Sequence, residues 1–233
     1  MNQPTAAQTP AATTPAGAML RTLTLVAGLS GFLVVLAFQL TEPLIEENKR
    51  IAIERALFKV IPGAVNRRDF MLTGTTLNPA ENGKPGEGIR IYAGYDDQDR
   101  LAGIALEAAA QGYQDVIRIL YSYEPACECI RGIEVLKMAE TPGIGDKIAK
   151  DPGFLRNFEA LDARLDTTGS GLAQAIVSVK HGSKTEPWQI DAISGATISS
   201  KAVARMLNDT AQRILPQITR HLEQLHGSHG GAQ

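Results

Sequence analysis

Hydrophobic residues near the start of the chain form an uninterrupted run. Residues 22–40 contain no charged side chain. At a rise of about 1.5 Å per residue, a helix of this length matches the ~30 Å hydrocarbon core of a bilayer. The run exceeds the apolar part of a usual signal peptide, and its end lacks a small-x-small cleavage site. We therefore predict a retained transmembrane helix at 20–40, in contact with membrane lipid, after a disordered Ala/Thr/Pro-rich leader at 1–19.

Helical periodicity follows the apolar run. Thr41 and Pro43 predict the N-cap and first turn of a membrane-proximal helix at 41–63, which Pro62 and Gly63 end. A second helical pattern runs from about residue 198 to 225, and Pro216 within it predicts a kink or a break.

Between the two helical patterns lie a turn-rich loop at 78–88 and short runs that alternate or carry β-branched residues. These runs predict strands at 89–95, 101–107, 116–123, 130–138 and 173–179. Residues 96–99 and 124–126 are expected to connect antiparallel neighbours. The elements together predict an α+β fold, a mainly antiparallel sheet flanked by helices, with one N-terminal transmembrane helix. We expect the folded domain at 64–226 and a disordered tail at 227–233.

The charges beside the membrane segment leave its orientation open. One arginine, Arg21, precedes the apolar run. Four positive residues follow it: Lys49, Arg50, Arg55 and Lys59. A bare count would keep the large domain in the cytoplasm, but long domains are translocated largely regardless of charge.

Composition excludes some classes of function. The 233 residues carry a formal net charge of −2 and only 5% are aromatic, so nothing supports nucleic-acid binding. Cys127 and Cys129 are too few for a disulfide framework or a four-ligand zinc site, and they do not indicate a redox compartment. The Cys-x-Cys spacing invites a redox or cluster interpretation, but two thiolates make no cluster without another chain. We therefore expect no functional cysteine pair and no metal site.

The most informative stretch is residues 191–200, Asp-Ala-Ile-Ser-Gly-Ala-Thr-Ile-Ser-Ser. Gly195 and Ala196 allow a close approach to the backbone directly before Thr197, at the expected start of a helix. Free N–H groups and the positive end of the helix dipole favour a phosphate there. The alternative is that Ser194 or Thr197 merely caps the helix, and the spacing does not decide between the two.

A second unusual stretch is residues 140–148, Glu-Thr-Pro-Gly-Ile-Gly-Asp-Lys-Ile. Gly143 and Gly145 bracket Ile144 after a proline, which predicts a loop with unusual backbone angles that presents one apolar side chain. Such a loop is suited to lie on a planar cofactor, or equally to connect a strand to a helix.

The chain resembles the FMN-binding G subunit of the Rnf electron-transport complex. The resemblance rests on these two motifs in this order, preceded by Gly112, Tyr113 and a single membrane anchor. The same domain occurs in the C subunit of the sodium-translocating NADH:quinone reductase, but the Gly-Asp-Lys-Ile continuation and the short chain are more similar to the Rnf protein. In that family the S-G-A-T threonine carries FMN through a phosphoester installed by a separate flavin transferase. The resemblance implies that Thr197 is the attachment residue.

The resemblance also implies which residues surround the cofactor. The attachment motif would comprise Asp191, Ser194, Gly195, Ala196 and Ser200. The loop against the flavin would comprise Glu140, Thr141, Gly143, Ile144 and Gly145. The chain departs from the family pattern at Gln114 and Asp115, where a glycine is often found, and at the two cysteines, which the corresponding hairpin ordinarily lacks.

The function implied is that of an electron carrier rather than an enzyme acting alone. The chain would relay electrons within an ion-translocating ferredoxin:NAD oxidoreductase, beside subunits of the Rnf A, B, C, D and E type. The resemblance implies a flavin domain on the periplasmic side of a bacterial inner membrane, against the charge count. Two alternatives stay open: the C subunit of the quinone reductase, and a non-redox anchored binding or adaptor module in which S-G-A-T is only a cap.

Overall fold

The computed structural model describes residues 16–80 and 88–227. The chain divides into two compact units, Met1–Arg50 and Ile51–Gln233. Most of the predicted leader, most of the loop expected at 78–88 and nearly all of the predicted tail lie outside the described residues.

The N-terminal helix, α1, is one helix over Ala16–Val60. The helix start predicted at Thr41 and Pro43 is wrong, because both residues lie inside α1. The Thr41 hydroxyl donates to the carbonyl of Ala37 at 2.8 Å, a bond within the helix that competes with capping. By length and composition α1 is able to cross a membrane.

The second unit is built on a seven-stranded sheet. Its strands are β1 Asn66–Thr73, β2 Thr76–Pro79, β3 Ile89–Tyr95, β4 Leu101–Gln111, β5 Val116–Glu124, β6 Cys129–Lys137 and β7 Leu161–Asp162. They pair antiparallel in the order β2-β1-β3-β4-β5-β6-β7. A separate parallel pair consists of β8, Val177–Val179, and β9, Gln189–Asp191. The predicted α+β fold with a mainly antiparallel sheet is confirmed.

The strands that alternation predicted, β3 to β6, are confirmed, whereas β8 is shorter than expected and β1, β2, β7 and β9 were missed. β1 escaped because it opens with polar residues. Arg67 and Asp69 lie two positions apart, hence on one face, and form an ion pair in which the Asp69 side chain is 4% exposed. The Arg67 guanidinium also lies 5.1 Å from the centre of the Tyr92 ring. A neutralised ion pair therefore lies where a strand usually buries apolar side chains, so the apolar pattern did not reveal β1.

The helical segments that follow β6 cover one face of the sheet. They are a 3₁₀ turn at Gly145–Ala149, α2 at Pro152–Leu155, a second 3₁₀ turn at Arg156–Phe158, α3 at Thr197–Arg220 and α4 at Leu222–His226. Of the kink or break predicted at Pro216, the break is wrong, because α3 continues through this residue. A proline inside a helix costs about 3 kcal/mol, and burial of Ile214, Leu215 and Ile218 against the core offsets this.

Alternating residues of the sheet build two separate cores. On one face Ile91, Ile104 and Ile119 pack in the same cluster as the buried residues of α3. On the opposite face Tyr92, Ala105 and Leu120 pack against the last turns of α1. The period of two in a strand produces this division.

The end of α1 lies close to the sheet because glycines line its path. A Cβ built on Gly94 would lie 2.9 Å from Ile61 Cδ1, and one on Gly132 would lie 3.3 Å from Val60 Cα. The Ser122 hydroxyl donates to the carbonyl of Val60, one of the carbonyls left free at the helix end.

The two cysteines are joined by a disulfide, which the sequence did not lead us to expect. Cys127 lies in the turn between β5 and β6, and Cys129 is the first residue of β6. The bond spans a single intervening residue, Glu128.

Candidate functional site

The Glu140 carboxylate is the centre of the candidate site. It is 6% exposed. Its Oε1 accepts hydrogen bonds from the backbone N–H groups of Tyr113 at 3.0 Å and Gln114 at 3.1 Å, and its Oε2 accepts one from the Ser199 hydroxyl. One carboxylate therefore joins the turn after β4, the 140–145 loop and the first turn of α3. Hydrogen bonds to an ionised acceptor are stronger than neutral ones.

Two glycines make room for this carboxylate. A Cβ on Gly112 would lie 2.5 Å from Glu140 Oε1. A Cβ on Gly145 would lie 2.8 Å from Glu140 Oε2 and 3.1 Å from Ser199 Oγ. A second link supports the arrangement, because Gln114 Nε2 donates to Thr141 Oγ1 at 3.0 Å. Gln114, which departs from the family pattern, thus holds the two loops together by a side-chain bond.

Hydrogen bonds of Asp191 and Ser200 fix the loop before α3. The Asn157 amide pairs with the backbone of Asp191, accepting from its N–H at 3.0 Å and donating to its carbonyl at 3.2 Å. The Asp191 carboxylate accepts from the N–H of Gly182 at 2.7 Å. The Ser200 hydroxyl accepts from the N–H of Ile193 at 3.1 Å and donates to the carbonyl of Ala196 at 2.9 Å. Asp191 and Ser200 therefore hold the conformation of the predicted attachment motif.

The N-terminus of α3 has no side-chain cap. Ala196 occupies the N-cap position, so neither Ser194 nor Thr197 caps the helix, and that alternative is wrong. Gly195 has φ +85°, and a Cβ built on it would meet nothing within 4 Å. The approach to the helix end is therefore open, beside N–H groups that carry the positive end of the dipole.

Four hydroxyl residues belong to this motif, and burial divides them into two pairs. Ser199 and Ser200 are buried and hydrogen-bonded, whereas Ser194 and Thr197 are exposed. Thr197 is the first residue of α3, directly at the uncapped helix end. The only hydroxyls of residues 191–200 open to modification are thus those of Ser194 and Thr197.

Three large apolar side chains stand exposed around the Glu140 hydrogen bonds. Tyr113 is 65% exposed, Ile144 50% and Ile198 53%. Tyr113 bonds Glu140 through its own N–H, Ile198 precedes Ser199, and Ile144 precedes Gly145, which packs against Glu140 and Ser199. Each of the three thus lies at, or next in the chain to, a group that bonds or packs against Glu140, and exposed apolar side chains in one region are typical of a ligand or partner surface. The sequence predicted Ile144 but missed Ile198 and the hydroxyl of Ser199, and noted Tyr113 only as part of a motif.

The charged groups near the site are either exposed lysines or groups whose pKa is shifted by their neighbours. Lys147 and Lys201 are exposed. The hydrogen bond from Lys150 at 3.0 Å lowers the pKa of the Asp146 carboxyl. Partial burial lowers the pKa of Lys184, against the attraction of Asp191, and its Nζ donates to Asn157 at 3.2 Å. Across residues 16–80 and 88–227, no cluster of three or more His, Cys, Asp or Glu side chains is placed to hold a metal ion.

The structure therefore brings the two predicted motifs together. Glu140, Thr141 and Gly145 hold the loop against the first turn of α3, while Gly143, with φ +76°, and Ile144 lie on its open side. Among the residues of the second motif, Ser194 and Gly195 are exposed and Ala196 is buried.

Known proteins resemble this chain in sequence and in fold. Residues 112–212, which contain both motifs, match the FMN-binding domain family. The chain resembles NqrC of Shewanella oneidensis in fold, with a TM-score of 0.58 at 20% identity over 78% of this chain and all of that one.

Two relatives are both named as the G subunit of an ion-translocating oxidoreductase complex. That of Methanosarcina acetivorans is 28% identical, with 84% of this chain and 93% of the relative aligned. That of Shewanella piezotolerans is 30% identical, with 73% of this chain and 76% of the relative aligned. This chain therefore belongs to the family of G subunits of ion-translocating oxidoreductase complexes.

Proposed function

We propose that this protein carries FMN on Thr197 through a phosphoester and relays electrons within a membrane-bound ferredoxin:NAD oxidoreductase of the Rnf type. The observation that carries the proposal is the position of Thr197. Its hydroxyl is exposed at the uncapped N-terminus of a 24-residue helix, next to an open glycine and an exposed apolar surface.

The residues present fit FMN in both charge and polarity. The N–H groups of the first turn of α3 and the helix dipole favour the phosphate. Tyr113, Ile144 and Ile198 offer apolar surface for the isoalloxazine ring. FMN bound in this way would supply one-electron and two-electron transfer, which no side chain of the site provides.

The chain's own residues bind and orient the cofactor. Glu140 holds the loop that bears Ile144 in register with the helix end that bears Thr197. Thr197 Oγ would hold the phosphate of FMN as an ester, so that the protein would gain the mass of FMN less one water, and a separate flavin transferase would install it. A covalent bond prevents loss of the carrier, and the exposed surface around it is where other subunits of the complex would exchange electrons.

We also propose that the domain faces the periplasm of a bacterial inner membrane. The Cys127–Cys129 disulfide supports this side, since disulfides persist in oxidising compartments and are rare in the cytosol. The positive charges after the membrane segment favour the other side, but they steer long domains weakly.

Protease added to intact spheroplasts is expected to digest the domain. Digestion that requires lysis of the spheroplasts would place it in the cytoplasm.

Covalent flavin is tested directly on the full-length protein coexpressed with a flavin transferase. After denaturation, a gel band is expected to fluoresce yellow-green under ultraviolet light, and the intact mass to rise by one FMN less one water. Fragmentation of the peptide that contains residues 191–200 should place the added mass on Thr197. Absence of both band and added mass would favour a non-redox anchored module.

A further inference from the structure

The disulfide lies in an unusual turn. Glu128, the residue between the two cysteines, has φ +50°, in the left-handed region that residues with a Cβ rarely adopt. Cys127 is exposed, whereas Cys129 is 4% exposed and pairs with Asp162 of β7. One sulfur of the bond therefore belongs to an exposed residue and the other to a buried one.

The hairpin does not depend on this bond. β5 and β6 pair from Glu124 opposite Cys129 to Arg118 opposite Lys137. The turn is also held by backbone hydrogen bonds, from the N–H of Glu128 to Pro125 at 3.3 Å and from the N–H of Ala163 to Glu128 at 3.0 Å. A cross-link that closes so short a loop removes little conformational entropy from the unfolded chain. Opening the bond therefore leaves the strands paired.

The disulfide is also remote from the candidate flavin site. Tyr113 and Gln114, which bond Glu140, precede the start of β5, whereas the cysteines follow its end. The first and last of the 9 residues of β5 lie about 26 Å apart, at ~3.3 Å per residue step. A group bound at Glu140 and Thr197 is thus out of contact with the sulfurs, and any chemistry of this bond is separate from that of the flavin.

We propose that Cys127–Cys129 is a thiol–disulfide exchange site whose substrate is a dithiol, such as the active-site pair of a dithiol oxidoreductase. A thiolate of the dithiol attacks Cys127 Sγ and forms a mixed disulfide, while the Cys127–Cys129 bond breaks and its electron pair leaves on Cys129 Sγ, which takes up a proton. The second thiolate of the dithiol then attacks the dithiol's first sulfur, which is bonded to Cys127 in the mixed disulfide. Cys127 leaves as a thiolate and takes up a proton. The protein gains two electrons and two protons, and the dithiol becomes a disulfide.

The assignment of the two sulfurs is tested with two matched variants of the full-length protein in detergent. Cys129→Ser leaves the exposed Cys127 alone, and Cys127→Ser leaves the buried Cys129 alone. Access controls thiol reactivity, so the free thiol of Cys129→Ser is expected to react with 5,5′-dithiobis(2-nitrobenzoate) about tenfold faster or more than that of Cys127→Ser. Equal rates, or a faster Cys127→Ser, would overturn the assignment.

The exchange itself is tested on the native sequence, which does not depend on how either variant folds. Dithiothreitol should release two thiols, counted by N-ethylmaleimide and intact mass, while the far-ultraviolet circular dichroism stays unchanged. Oxidised dithiothreitol should then restore the disulfide. Thiols that appear only together with loss of the dichroism, or that never appear below denaturing conditions, would show a structural cross-link and refute the proposal. Because covalent flavin is measured separately, failure of either proposal leaves the other standing.

Discussion

Replacing Thr197 by valine is expected to abolish covalent flavin and leave the fold nearly intact. Valine keeps the shape of threonine and removes the only group able to form the ester. The side chain is exposed at the first position of α3 and caps no N–H group, so the free energy of unfolding should change by no more than about 0.5 kcal/mol, as for other surface substitutions. In-gel fluorescence and intact mass report the flavin, and thermal unfolding reports the fold.

The matched control is Ser194→Ala. Ser194 is the other exposed hydroxyl of residues 191–200, and it lies in the loop rather than at the helix end. This variant should keep its fluorescent band. A Thr197→Val protein that still carried covalent flavin, or a Ser194→Ala protein that lost it, would place the attachment on another residue.

Replacing Glu140 by alanine is expected to destabilise the domain strongly and to lower the flavin content. The change leaves two backbone N–H groups and the buried Ser199 hydroxyl without their acceptor. Hydrogen bonds to a charged acceptor contribute about 1.5–3 kcal/mol each, and water partly replaces the two made by the exposed residues Tyr113 and Gln114, so we expect a loss of about 3–5 kcal/mol in urea denaturation. The loop that bears Ile144 would also separate from α3, and fluorescence per mole of protein should drop.

Glutamine at the same position separates hydrogen bonding from charge. The amide of Glu140→Gln is able to accept from both N–H groups and donate to the Ser199 oxygen, so it should recover most of the lost stability. The exposed Glu159 supplies a control, since Glu159→Ala should change the free energy by less than about 0.5 kcal/mol. If Glu140→Ala were as stable and as fluorescent as the parent protein, Glu140 would not hold the site together.

Local pattern predicted the parts of the fold that local physics controls. Alternation located β3 to β6 because one face of each strand is packed on the α3 side. It failed for β1, where Arg67 neutralises Asp69, and for the short strands β7 and β9, where so few residues form no period. It also failed at Thr41, since the same hydroxyl that caps a helix bonds equally well inside one.

The site was predictable only in part for a similar reason. Both motifs stand out in the sequence because glycine and proline mark unusual backbone, and Thr197 follows from the resemblance they carry. Ser199 and Tyr113 become partners only through Glu140, which is 59 positions from Ser199 and 27 from Tyr113. No spacing rule for helices or strands connects residues so far apart.

The sequence by itself determined an apolar helix long enough to cross a membrane, the α+β class of the domain and the two motifs that identify a flavin protein. The helix and the fold class depend on hydropathy and backbone preference, which residues close in sequence determine, whereas the motifs indicate flavin through their resemblance to a known family. Only the tertiary structure decided that a buried carboxylate joins the motifs and that the two cysteines are bonded. It also decided that Thr197 is exposed at the start of α3 without capping the helix. The first depends on donors far away in the sequence, and the second depends on a turn that brings the two sulfur atoms within bonding distance. The third depends on no other segment covering the start of α3.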